Sequence, residues 1–256
     1  LTAIRLIELL QEAGLPPGVL NIIHGGRECV DALLEHPLVR AVSFVGSSPI
    51  AKYVYEKGIQ NGKRVQSAGG AKNYVFVLPD ADMANTAGGL NDAAFGCAGQ
   101  RCMAGSTAVL IGKAADRLIS PLSEIVSKIQ VGPTDRGSGG TMGAVISPAH
   151  LDRVGQLLES GVRDGAELLI DGRGVDVPEE PNGFYLGPSI LDRVESGMEI
   201  AREEVFGPVL NLMRFDDLEA AIELANGTPF GNGACIYTPS PAVLPANLST
   251  VSKQAW

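Results

Sequence analysis

Apolar side chains recur at Ile4, Leu6, Ile7, Leu9 and Leu10 in the opening stretch. That is helical spacing, and Gly14 followed by Pro16 and Pro17 ends it. GVLNIIHGG (18–26) then reads as a short buried strand. A helix over 28–37 stops at Pro37, and a strand over 39–48 leads to a helix over 49–58 and a further strand over 63–70. Strands alternating with helices of about ten residues predict βαβ units and a parallel sheet.

Beyond residue 70 the cadence changes. YVFVLPDAD (74–82) predicts a strand running into a capped helix over 83–98, STAVLIG (106–112) a strand, and 116–129 a helix that Pro121 should perturb. Ser147 and Pro148 read as the N-cap and first turn of an amphipathic helix over 147–165. Strands are expected over 166–174, 183–191 and 208–216, and a last helix over 216–227. There is no internal repeat. Residues 239–256 lose the periodicity, carry prolines at 239, 241 and 245, and read as an irregular, frayed or artificial end.

Composition narrows the function classes. The 256 residues are 45% hydrophobic and 19% charged, ordinary for a soluble globular protein. A net charge of −9 argues against nucleic-acid and anionic-membrane partners, because no broad basic surface could neutralise phosphates. No apolar run approaches the roughly 18 residues of a membrane span. LTAIRLIELL has no basic n-region and cleavage site, so no targeting segment is expected, and an opening inside a helix suggests part of a longer protein. Four cysteines without zinc-type spacing suggest neither a disulfide scaffold nor a metal site, and favour a reducing compartment.

AAFGCAGQRCMAGST (93–107) holds Cys97 and Cys102 among small residues. Gly99, Ala104 and Gly105 leave the Cys102 sulfur open to a ligand, and its N–H could face an oxyanion formed when a thiolate attacks a carbonyl. Arg101 could stabilise the thiolate or hold a substrate carboxylate. A small buried hydrophobe is the alternative, and spacing alone does not decide between them. His24, His36 and His150 have no local context suggesting a base, so histidine-assisted thiol hydrolysis is the weaker reading.

Two further stretches carry binding chemistry. In FVGSSPIAKYV a strand ends at Val45, Gly46 turns the chain, and Ser47 or Ser48 caps a helix whose first residue is Pro49. The free N–H groups of such a helix suit a pyrophosphate, although a dinucleotide G-x-G-x-x-G is missing. In AREEVFGPVLNLM two glutamates precede a Phe-Gly-Pro turn. A carboxylate there could accept hydrogen bonds from ribose, with Phe206 against a flat ring; a solvated acidic pair is the alternative.

In this order and spacing, FVGSSPIAKYV, GQRCMA and EEVFGPV resemble the aldehyde dehydrogenase superfamily over about residues 1–238. GVLNIIHGG, GKRVQSAGGAKNYVFVLPDA and AAFGCAGQRCMAGSTAVLIG are most similar to its CoA-acylating methylmalonate-semialdehyde dehydrogenase branch. The resemblance implies an α/β fold: a partial parallel-sheet dinucleotide-binding domain over 1–70, an incomplete catalytic domain over 71–238, and an unassigned tail over 239–256. It implies Cys102 as nucleophile, Arg101 as substrate-carboxylate clamp, and NAD contacts from Gly46, Ser47, Gly69, Glu204 and Phe206.

Hydrolytic relatives carry a glutamate four positions before the lysine matched by Lys72, to activate water. Here that position is Ala68. The resemblance therefore implies NAD-dependent oxidation of methylmalonate or malonate semialdehyde through a cysteine thioester. Coenzyme A is the co-substrate, giving propanoyl-CoA or acetyl-CoA. It also implies a homo-oligomer, a tetramer in the complete enzyme, located in the mitochondrial matrix or a bacterial cytoplasm.

The family's upstream cofactor lysine and oxyanion-hole asparagine have no counterpart in the sequence. Residues 249–256 faintly resemble the family's extreme C-terminus. A non-catalytic truncated form and a hydrolytic NAD-dependent enzyme are the rival readings.

Overall fold

The computed structural model describes residues 2–135 and 140–240, and the chain divides into two compact units, Leu1–Gly70 and Ala71–Trp256. The first unit contains α1 (Thr2–Glu12), α2 (Arg27–Glu35), β1 (Ala41–Val45), α3 (Ser48–Gln60) and β2 (Arg64–Ala68). β1 and β2 pair in parallel from Ala41 opposite Arg64 to Val45 opposite Ala68. This is the βαβ unit the alternation predicts. Tyr53, Asp31, Lys57 and Glu35 fasten α3 to α2: Lys57 Nζ lies 2.9 Å from Asp31 and 2.8 Å from Glu35, and the Tyr53 hydroxyl donates to Asp31.

The strand expected over 18–26 is a correction. These residues form turns and irregular backbone, with Val19 and Ile23 about two-thirds exposed. A strand is a pairing and not a property of one apolar run; β1 is bonded to β2, and no described strand runs beside 18–26.

The second unit is built on a six-stranded sheet of β3 (Tyr74–Val77), β4 (Thr107–Ile111), β5 (Glu167–Ile170), β6 (Ser189–Asp192), β7 (Val209–Phe215) and β8 (Ala234–Tyr237). Their order is β5-β6-β7-β4-β3-β8, parallel throughout except for β5 against β6. Every residue of β3 and β4 is buried, the signature of a parallel sheet covered on both faces. One face packs against α4 (Met83–Phe95), α5 (Ala114–Val126) and α6 (Pro148–Arg163). The other packs Tyr74, Phe76, Val109 and Ile111 against α8 (Leu218–Gly227). Among the described residues no helix is long and apolar enough to cross a membrane.

Two caps match the sequence reading: Ser147 accepts from the His150 N–H at the start of α6, and Asp82 accepts from Ala84 and Asn85 at the start of α4. Other expectations change. α5 runs unbroken through Pro121 because Leu118, Leu122 and Val126, four residues apart on one face, are all fully buried on either side of it. α4 stops at Phe95, and Gly96–Gly99 form a separate tight turn in which Cys97 and Ala98 adopt φ of 54° and 52°. Of the segment 183–191, only residues from Ser189 onward join the sheet. The tail expected over 239–256 lies, from residue 241, outside the described residues.

Candidate active site

In the second unit the candidate residues gather where the parallel strands begin. Lys72 and Asn73 lead into β3, Cys102 into β4, Glu204 and Phe206 into β7, and Asn232 into β8. Open α/β sheets usually place ligands beyond the carboxyl ends of their strands, and this arrangement uses the opposite end.

Cys102 is exposed, on a turn closed by the Ala104 N–H donating to the Arg101 carbonyl at 3.0 Å. Its own carbonyl accepts from two side-chain amides, Asn73 Nδ2 at 2.8 Å and Asn232 Nδ2 at 2.7 Å. Asn73 Nδ2 also donates to Ala104 at 2.8 Å, while its Oδ1 accepts from the Gly233 N–H at 3.0 Å. Arg101 turns back along α4, its Nη2 donating to the carbonyls of Asp92 and Ala93. Part of the guanidinium expected to clamp a substrate is therefore occupied with the end of a helix.

The loop bearing Glu204 and Phe206 is held from three sides. Arg153 Nη1 and Nη2 donate to the carbonyls of Val205 (3.0 Å) and Glu204 (2.8 Å). His150 Nε2 lies 2.7 Å from the Phe206 carbonyl, with its ring edge-on to the Phe206 ring. That histidine, set aside as a base in the sequence, has a positioning task here. Lys72 Nζ donates to the carbonyls of Ile200 (2.9 Å) and Glu203 (2.7 Å).

This loop meets the cysteine loop at Gly99. An alanine Cβ there would stand 2.0 Å from the Gly207 carbonyl oxygen, so only glycine allows the approach. Five described non-glycine residues have positive φ; Cys97, Ala98, Phe206 and Asn232 are four of them and lie in these same loops. Such strain clusters where surrounding contacts over-determine the backbone.

Burial raises the Glu204 pKa, opposed by the Ala71 N–H and the charges of Arg153 and Lys72. Burial lowers Lys72 to about 8. Between about pH 8 and 10.5 the folded lysine has released a proton that the unfolded one keeps. The unfolded state then binds more protons, so stability rises with pH across that window. A neutral amine still has two N–H groups for its two carbonyls. Against Lys72→Met, wild type should gain up to about 1.4 kcal/mol per pH unit in urea titrations over this window. Parallel curves would contradict it.

In the first unit Ser47 occupies the N-cap position of α3 with an extended backbone, and its side chain makes no capping bond. The helix begins at Ser48, one residue earlier than expected, and the Ser48 hydroxyl accepts from Gly70 N–H at 3.0 Å. Gly46 follows β1, and Gly69 packs against Ser48, where a Cβ would come within 2.9 Å of the hydroxyl. Ala68 is exposed at the end of β2. Sequence reasoning missed Asn73, Asn232 and Arg153, because each acts on backbone carbonyls distant in sequence. The one local hint was an asparagine between two glycines at 231–233.

An exposed thiol just after a strained turn, packed beside a glutamate-phenylalanine loop at the start of a parallel sheet, belongs to a recognisable class. Residues 1–247 match the aldehyde dehydrogenase family, and the chain is a member of it. More particularly, it is 48% identical over 238 residues to the malonate-semialdehyde dehydrogenase of Pseudomonas aeruginosa, covering 93% of this chain and 48% of that protein. It is also 48% identical over 233 residues to a Drosophila pseudoobscura protein named as a probable acylating, mitochondrial methylmalonate-semialdehyde/malonate-semialdehyde dehydrogenase, covering 91% and 44%. A crystal structure from Sinorhizobium meliloti, provisionally described as a methylmalonate-semialdehyde dehydrogenase and complexed with NAD, superposes with a TM-score of 0.91 at 43% identity. It covers 97% of this chain and 50% of that one. The chain thus spans about half the length of the relatives it matches.

Proposed function

We propose that the chain carries the thiol machinery, and part of the dinucleotide-binding machinery, of an NAD-dependent CoA-acylating dehydrogenase for methylmalonate or malonate semialdehyde. The observation that carries this reading is the packing of Gly99 against Gly207, which keeps the Cys102 turn beside the Glu204–Phe206 loop. The residues present suit NAD: the first-turn N–H groups of α3 have no capping acceptor from Ser47, which leaves them to a pyrophosphate. Gly46 and Gly69 keep backbone close at that helix start. Glu204 would accept from ribose hydroxyls, and Phe206, partly exposed, would lie against the nicotinamide.

When bound, NAD accepts the hydride. Cys102, as thiolate, adds to the aldehyde carbon, and its N–H faces the resulting oxyanion. Departure of hydride from that carbon leaves a thioester on Cys102. Hydrolysis requires an activated water, and the sequence has Ala68 at the position that matches the activating glutamate of hydrolytic relatives. The thiol of coenzyme A instead attacks the thioester carbon, releasing Cys102 and giving acyl-CoA. Carbon balance requires the substrate carboxylate to leave as carbon dioxide, the electron pair it leaves on the α-carbon taking up a proton, to yield propanoyl-CoA or acetyl-CoA. Arg101 can meet that carboxylate first with Nη1, since its α4 contacts use Nη2.

The test is NADH formation from methylmalonate semialdehyde with and without CoA. Sustained turnover is expected only with CoA, and acyl-CoA as product. Free acid without CoA would replace the acylating reading with a hydrolytic one. The absence of even a single-turnover burst would mean that this polypeptide does not carry out the oxidation.

A further inference from the structure

Cys102 and Met103 are the central residues of the turn from Arg101 to Ala104, so the Cys102 carbonyl belongs to the turn's central peptide. That peptide is the element of a β-turn that flips between the type I and type II forms, rotating ψ before it and φ after it by more than a right angle. Both Asn73 and Asn232 hold this one oxygen, at 2.8 and 2.7 Å. We propose that Asn73 and Asn232 are positioning residues that lock the central peptide of the Cys102 turn and so keep the thiol presented for attack. The proposal rests on Cys102 being the nucleophile.

Asn232 carries the argument. Its φ is 108°, in a region that side chains rarely adopt, between two residues that are already glycine. It is exposed, so no buried packing compensates for the strain. A third glycine would suit the backbone better; what asparagine adds is one amide, and that amide is spent on the Cys102 carbonyl. Asn73 is buried, and its side chain spans the same joint: Nδ2 reaches Cys102 and Ala104, and Oδ1 takes the Gly233 N–H beside Asn232. The loops leading into β3, β4 and β8 are thereby fixed to one peptide unit, although nothing in their sequences places them together.

The test uses Asn232→Gly, which removes the amide while accommodating the backbone. Cys102 is titrated with iodoacetamide, a probe needing neither aldehyde nor NAD. Peptide mass spectrometry follows Cys97, also exposed, as the internal reference. Alkylation of Cys102 is expected to slow by about 3- to 10-fold with Cys97 unchanged and the melting temperature unchanged or raised. Turnover should lose about 10-fold in kcat with KM held, the pattern of a misplaced reacting group.

A purely structural asparagine predicts none of these shifts, so wild-type or faster alkylation of Cys102 in Asn232→Gly overturns the proposal. Asn73→Asp, which turns a carboxylate towards two carbonyl oxygens, should slow alkylation further if it folds; Asn232→Gly decides the matter if it does not. Cys102→Ala separates the premise. If it retains turnover, the nucleophile reading falls. If it is inactive while Asn232→Gly behaves as wild type, only the positioning proposal falls.

Discussion

On the proposed mechanism, replacing Cys102 by alanine should reduce NADH formation from methylmalonate semialdehyde by at least about 10⁴-fold, because it removes the thiol assigned to carry the acyl group. The expected loss is in kcat. NAD affinity and the melting temperature should stay near wild type, since the side chain is exposed and its removal opens no core cavity. Cys97 is the instructive control. It is also exposed and only five residues away, but it sits at φ 54° in the turn before the Cys102 loop, and its carbonyl takes the Gln100 N–H. Cys97→Ser should keep most activity. Comparable losses in the two variants would show that the thiol doing the chemistry had been misassigned.

The second large effect concerns a residue with no side chain. Gly99→Ala would put a Cβ 2.0 Å from the Gly207 carbonyl oxygen and 2.9 Å from the Ala94 carbonyl oxygen, at φ +67°. Both neighbours are backbone and cannot rotate away. Overpacking and a left-handed backbone together suggest a loss of about 2–5 kcal/mol, or roughly 5–15 °C in melting temperature. The damage should extend to function, because the two loops it separates carry Cys102 on one side and Glu204 with Phe206 on the other. Gly155→Ala, in the middle of α6 with nothing within 4 Å of the added methyl, should instead stabilise by about 0.5–1 kcal/mol. A Gly99→Ala protein melting within about a degree of wild type would contradict the close approach.

Much of the fold was legible because its signals are local. The alternation of apolar runs located β1, α3, β2, β3, β4, β7 and α8, and capping chemistry at Ser147 and Asp82 located two helix starts. The thiol motif, the helix after Gly46 and the EEVFG turn each left an ordinary structural alternative open when taken singly, and it was their order that made the family legible. What misled was apolar content without a partner, at 18–26, and a breaker inside a well-packed stripe, at Pro121. What escaped notice was β8, whose four residues ACIY carry no alternation and become a strand by lying beside β3.

The sequence by itself determined which residues could do chemistry, since reactivity belongs to the side chain: a thiol at 102, a carboxylate at 204, and no titratable group at 68. The tertiary structure alone decided how they are held. Asn73 meets Cys102 across 29 residues and Asn232 across 130, while Lys72 reaches Glu203 across 131. The Arg101 guanidinium faces a helix end that spacing could not reveal. These are hydrogen bonds to backbone carbonyls, and every residue carries a carbonyl. No residue type therefore marks the acceptor in advance, and only the packing of the sheet brings the pairs together.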